Sequence, residues 1–135
     1  MQSSAKGAGA NSMATIIIQE NDSAVLDVLT QALKLEGHLP IPMLGSCPIE
    51  MTKSVKRHYP DLVLVDYRSN NDSGKKLLAA IRKISSWLPV MALSCDLNIS
   101  KMASVIGFNN FLAKPFDLDE FFGKISLLLN KPNLT

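Results

Sequence analysis

Leu62-Val63-Leu64-Val65-Asp66 is the stretch whose reading decides the fold. Four consecutive apolar residues, two of them β-branched, read as a strand buried on both faces, as in a parallel sheet covered by helices. The run ends on a carboxylate. The residues that follow, Tyr67-Arg68-Ser69-Asn70-Asn71-Asp72-Ser73-Gly74, are turn formers, and a helical pattern begins at Lys75. In open α/β sheets, ligand sites lie at the carboxyl ends of the strands, which is where Asp66 sits. Taken alone, Asp66 reads equally well as a residue that caps its loop, so its neighbours in space have to decide.

The same alternation of strand and helix runs outward in both directions. Thr15-Ile16-Ile17-Ile18-Gln19 is a β-branched first strand that delivers Glu20, Asn21 and Asp22. Asp22 or Ser23 caps a helix whose apolar positions are Val25, Val28, Leu29, Ala32 and Leu33, and Gly37 ends it. Leu39-Pro40-Ile41-Pro42-Met43-Leu44 is extended, but its prolines cannot donate to a ladder. Two prolines at spacing two leave both gaps on one side, which suits an edge strand and excludes a central one. Pro48 opens a short helix reaching about His58, and Tyr59-Pro60-Asp61 breaks it.

Beyond Asp66, Ser73 is expected to cap a helix presenting Leu77, Leu78, Ile81 and Ile84, closed by Trp87-Leu88-Pro89. Val90-Met91-Ala92-Leu93 is a fourth strand leading to Ser94 and Cys95, and a short helix within 96–106 ends at Gly107. Asn110-Phe111-Leu112-Ala113 is a fifth strand leading to Lys114-Pro115. Asp117 and Glu120 stand at capping-box spacing before a final helix with an apolar face of Leu118, Phe121, Phe122, Ile125, Leu128 and Leu129. Parallel strands share one direction, so one rim collects Glu20, Asn21, Asp22, Asp66, Ser94 and Lys114.

Bulk properties narrow the function classes. A chain of 135 residues suits one domain that buries roughly two-thirds of its unfolded surface. Apolar residues make up 47% and charged residues 19%, a globular balance. The net charge of +2, with the lysines scattered, gives no electrostatic footprint for direct nucleic-acid binding. Cys47 and Cys95 make neither a disulfide framework nor a metal-ligand spacing, and read as thiols in a reducing compartment. His38 and His58 stand at helix ends and read as solvated. No segment has the apolar length of a membrane span, and residues 1–13 have no signal-peptide pattern, so a cytoplasmic location is expected. The domain is expected over 14–130, with 1–13 a disordered extension or linker and 131–135 a tail.

The rim set suits phosphoryl transfer. A carboxylate can attack phosphorus, and the charge on the transferred group's oxygens then needs neutralising by Mg²⁺, a lysine and a hydroxyl. Asp66 is the candidate nucleophile, Glu20 and Asn21 the metal side, Ser94 the hydroxyl and Lys114 the cation. Singly, Ser94 reads as a loop hydroxyl and Lys114 as a surface amine. It is their convergence that is specific.

From about Ala14 to Asn130 the chain resembles the receiver domain of bacterial response regulators. Two stretches carry most of the resemblance, Glu20-Asn21-Asp22 and Asp61-Leu62-Val63-Leu64-Val65-Asp66. Gly74, Ser94 and Lys114-Pro115-Phe116 add to it. The resemblance implies a flavodoxin-like (βα)5 doubly wound parallel sheet of strand order 2-1-3-4-5. It implies a signalling domain rather than an enzyme, with Asp66 accepting a phosphoryl group from a histidine kinase or a histidine phosphotransfer protein. It also implies that the Arg68 backbone carbonyl joins Glu20, Asn21 and Asp66 around Mg²⁺, that Lys114-Pro115 is cis, and that Ser94 and Phe111 rearrange to switch a partner-binding surface. From the residues alone, Phe111 reads equally as core packing.

Three positions depart from the family pattern. Glu20 and Asn21 stand where two acids are usual, so Mg²⁺ is expected to bind weakly. The stretch from Ser94 to Gly107 is shorter than usual. Phe111 and Ser94 replace the commoner tyrosine and threonine. Asn21 keeps open a second reading, a pseudo-receiver that binds partners without phosphorylation. A flavodoxin-like cofactor enzyme needs a phosphate-cradling loop after the first strand, where this chain is acidic. The output partner and any homodimer are left open.

Overall fold

A computed structural model describes residues 13–130; the expected 131–135 tail, and all of the expected 1–13 extension except Met13, lie outside the described residues. Strands and helices alternate throughout: β1 (Thr15–Glu20), α1 (Ser23–Leu35), β2 (Leu39–Leu44), α2 (Pro48–His58), β3 (Leu62–Asp66), α3 (Ser73–Ile84), β4 (Val90–Ser94), α4 (Ile99–Ile106), β5 (Asn110–Ala113) and α5 (Leu118–Leu129). All pairings are parallel and the sheet order is β2-β1-β3-β4-β5. This is the doubly wound flavodoxin-like fold.

Residue parity divides the core. Ile17, Val63, Val65 and Ala92 pack against α2, α3 and α4 through Met51, Val55, Leu77, Ile81, Ile99 and Ala103. Ile16, Ile18, Leu62, Leu64, Met91 and Leu93 pack against α1 and α5 through Leu26, Leu29, Leu33, Phe121 and Ile125. Every residue of β3 and β4 is buried, which is why those strands read as unbroken apolar runs. The edge position of β2 follows from its prolines. Leu39 N–H donates to Ala14 O at 2.9 Å, so odd-numbered amides face β1 and the nitrogens of Pro40 and Pro42 face the open edge.

Chain punctuation matches the expected breaks at most ends. Asp22 Oδ1 accepts from Ala24 and Val25 N–H at 2.9 and 3.2 Å, and Gly37 follows the end of α1 with φ +92°. Asp117 and Glu120 form both halves of the capping box. Helix α4 ends at Gly107, φ +121°, and has only 8 residues. The Lys114-Pro115 bond is cis.

Some expectations fail. Ser73 does not cap α3: it lies inside the helix, and Asn71 Oδ1 accepts from its N–H at 3.0 Å and from its hydroxyl at 2.7 Å. An Asx-type bond two residues earlier supplies what the serine was expected to supply. Val28 and Leu118 are exposed although they fall on helical periods. Leu26 is buried in place of Val28, because the buried stripe of α1 runs 26-29-33. His38 is not a solvated helix end. Its Nδ1 accepts the Ala14 N–H at 3.1 Å and so ties the start of β1 to the entry of β2.

Burial holds the His38 imidazole below its ordinary pKa, outweighing the pull of Glu36 and Asp61. A depressed folded value gives stability that is complete above the unfolded pKa of about 6.5 and is lost as pH falls below it. Between about pH 7.5 and pH 5, the urea midpoint of the unmodified protein should therefore fall more steeply than that of His38→Gln; parallel slopes would contradict this. At Gly74, in the first turn of α3, a Cβ would lie 2.9 Å from Cδ1 of the buried Tyr67 ring. Gly74→Ala should cost about 1–2 kcal/mol by overpacking, read from the denaturation midpoint, and an unchanged midpoint would show that the ring gives way freely.

Candidate functional site

The carboxyl rim of the sheet brings most of the expected site residues together. Glu20 closes β1 and is fully buried, and Asp66 closes β3 with 2% exposure. Lys114, just past β5, reaches back across the rim. Its Nζ lies 3.0 and 2.9 Å from the two oxygens of Glu20 and 3.2 Å from Asp66 Oδ1. Two carboxylates taken out of water are costly unless a cation and hydrogen bonds satisfy them. Lys114 does this for both, and its own backbone N–H is fixed by Ser94 O at 2.7 Å.

The second oxygen of Asp66 is also engaged. Asn21 Nδ2 donates to Asp66 Oδ2 at 2.9 Å, and the half-exposed Arg68 guanidinium stands 3.7 Å from the same oxygen. Thus the position expected to contribute a backbone carbonyl also brings a second cation. Every ion pair among the described residues includes Glu20 or Asp66.

The two acids are driven apart in proton affinity. Burial, reinforced by the neighbouring Asp66, raises the Glu20 carboxyl, and Lys114 opposes the shift. Burial also pushes Asp66 upward, but hydrogen bonds within the acid pair and from Asn21, together with the Lys114 charge, outweigh it and hold Asp66 below the usual carboxylate range. Burial works against the Lys114 ammonium, yet the two carboxylates raise its pKa. Of the two acids Asp66 is thus the one whose ionised form is favoured, the form that attack on phosphorus requires.

Ser94 ends β4 one residue beyond Leu93, the register partner of Asp66. It is fully buried, and its Oγ accepts from Asp96 N–H at 3.1 Å. Asp96 Oδ2 in turn accepts from Ser69 N–H at 2.7 Å, so the loops after β3 and β4 are laced together. Among the described residues Ser94 makes no hydrogen bond to Asp66. Phe111 lies off the rim, half-buried against the Ile17 face of the core. Lys124 Nζ sits 4.1 Å from its ring centroid and donates to its carbonyl at 2.7 Å. Asp22 spends its carboxylate on the cap of α1.

Sequence reading missed Gln19. This fully buried amide accepts from Asp66 N–H at 2.9 Å and donates to Gly45 O at 2.8 Å. Its signal was present: a primary amide inside an isoleucine run has to find buried partners. As a donor set for Mg²⁺, Glu20, Asp66 and the Asn21 amide oxygen are hard oxygens of the right kind. Only two of them are carboxylates, and no group of three or more His, Cys, Asp or Glu side chains suited to a metal occurs among the described residues. The set fits Mg²⁺ in kind and is poor in charge.

Comparison with known proteins places this geometry. The family model described as response regulator receiver domain matches residues 16–126. The chain is 31% identical over 121 residues to the DNA-binding transcriptional regulator NtrC of Azospirillum brasilense, covering 88% of this chain and 25% of that protein. It is 31% identical over 120 residues to the transcriptional regulatory protein BasR of Escherichia coli, covering 87% and 53% respectively. The chain thus spans between a quarter and about half of the length of these relatives. The crystal structure of NtrX from Brucella abortus superposes with a TM-score of 0.75 at 25% identity, covering 87% of this chain and 27% of that one. With its five-stranded parallel sheet, its acid–lysine rim and a family match across nearly the whole described region, the chain belongs to the response regulator receiver domain family.

Proposed function

We propose that residues 14–130 form a phosphoacceptor receiver domain, in which Asp66 takes a phosphoryl group from a histidine kinase or a histidine phosphotransfer protein. The observation that carries this reading is the Lys114 bridge, which sets an ammonium 3.2 Å from Asp66 Oδ1 at the rim and favours the ionised form of that acid. Receiver domains interact with histidine kinases and with output domains. This one serves a cytoplasmic two-component relay. NtrC is by name a DNA-binding regulator, but the +2 charge and scattered lysines of this chain support contact with protein partners rather than DNA.

In the transfer step an Asp66 oxygen forms the P–O bond while the P–N bond of the donor phosphohistidine breaks, and the electron pair leaves with the imidazole nitrogen. Lys114 moves its charge from the two carboxylates toward the transferred oxygens. Ser94 Oγ, an acceptor from Asp96 N–H with no donor bond among the described residues, donates a hydrogen bond to another phosphoryl oxygen. Glu20, Asn21, Asp66 and the Arg68 carbonyl would hold Mg²⁺. When bound, the metal supplies charge neutralisation on the phosphoryl oxygens. Phe111 responds through β5, where its carbonyl is tied to Lys124.

Incubation with a small phosphodonor should add one phosphoryl mass that requires Mg²⁺ and is absent from Asp66→Asn. A folded protein that takes no adduct at any Mg²⁺ concentration would instead be a pseudo-receiver acting by partner binding alone. The amide at position 21 leaves the metal side one charge short, so Asn21→Asp should lower the Mg²⁺ concentration for half-maximal phosphorylation. The expected change is on the order of tenfold, equivalent to about 1.4 kcal/mol. An unchanged Mg²⁺ dependence would place the metal away from residue 21.

A further inference from the structure

Gln19 is the one residue of the site's immediate framework to which the proposed chemistry gives no task. It lies fully buried at the end of a strand whose preceding residues are Ile16, Ile17 and Ile18. An amide carried into such surroundings is unfavourable unless it is hydrogen-bonded, and both ends of this one are. The paired β1–β3 register ends with Gln19 opposite Val65, one residue short of Asp66. The Gln19 side chain extends that contact by one bond, accepting the Asp66 N–H at 2.9 Å.

Its other end reaches the turn after β2. Gln19 Nε2 donates to Gly45 O at 2.8 Å, and Gly45 N–H donates to Glu20 O at 3.1 Å. Gly45 adopts φ +88°, a conformation that favours glycine. One turn residue is therefore tied to the backbone of Glu20 directly and to the backbone of Asp66 through Gln19. This frame fixes the relative positions of the two acids from the side of the sheet edge. Lys114 and Asn21 fix their side chains from the rim.

We propose that Gln19 is a positioning residue for phosphoryl acceptance: it holds the Asp66 backbone in the attack geometry by bridging it to Gly45. The inference rests on Asp66 being the acceptor. Gln19 does not touch the donor. Its effect falls on the maximal rate, because a small displacement of a nucleophile slows attack without weakening donor binding.

The test uses phosphoramidate at saturating Mg²⁺. Asp66 forms the P–O bond as the P–N bond of phosphoramidate breaks and ammonia leaves with the electron pair. Initial rates of adduct formation against phosphoramidate concentration should show a maximal rate roughly tenfold lower for Gln19→Leu, with the half-saturating concentration within about twofold of the unmodified protein. Equal maximal rates in a folded variant would overturn the inference and leave the phosphoacceptor reading intact. A folded unmodified protein that takes no phosphoryl group defeats that reading, and the inference with it. Gln19→Met, close to isosteric, serves if Gln19→Leu does not fold. If neither folds, amide hydrogen exchange in the unmodified protein decides. Exchange of the Asp66 N–H as slow as that of Val63 and Val65 supports the bridge, and exchange at loop rates overturns it.

Discussion

The Lys114 ammonium, held between two carboxylates taken out of water, is the interaction on which the rim depends. Glu20 and Asp66 end adjacent parallel strands, so the sheet itself forces two negative charges together where the backbone leaves the core. Without a cation from a third strand, one acid would have to take up a proton or the strand ends would have to part. Lys114 comes from the far edge of the sheet and reaches both acids, which couples β5 to β1 and β3. Because its backbone is also fixed by Ser94 O, this charge balance constrains four of the five strands.

A carboxylate, an ammonium and a hydroxyl able to donate a hydrogen bond are the parts a phosphoryl group needs, and under the proposed function the fold would assemble them before any donor arrives. Transfer would replace the Lys114–carboxylate contacts with Lys114–phosphoryl contacts. Since Lys114 follows β5 directly, a change at its ammonium would reach the strand bearing Phe111, whose carbonyl accepts from Lys124 of α5. Under the proposed function, the chemistry and the response to it would thus share one side chain.

Much of this was legible in the residues. The all-apolar strand ending in Asp66, the edge prolines and the Asp117–Glu120 box each carry a local physical cause that tertiary packing does not reverse. Other features depend on partners distant in sequence and left little local trace. His38 looked like a solvated helix end until Ala14 was placed beside it. Ser73 looked like a cap because Asn71 competes for the same role from two residues away. Val28 and Leu118 fall on helical periods that the narrower buried stripes leave to solvent. Gln19, a single amide in an apolar strand, has no pattern to mark it, although the cost of burying it unbonded is a usable signal. The acid cluster was legible, whereas the second cation at Arg68 and the lacing of Ser94 through Asp96 to Ser69 emerge only in three dimensions.

A phosphoryl group carried on the Asp66 carboxylate can be located chemically. Borohydride reduction of the phosphorylated protein converts an aspartyl phosphate to homoserine, and peptide mass spectrometry then reads the position. Homoserine is expected at position 66, in the peptide containing the Leu62–Asp66 strand, and nowhere else. An intact aspartate at 66, with the reduced residue at Glu20 or at a surface acid, would contradict it.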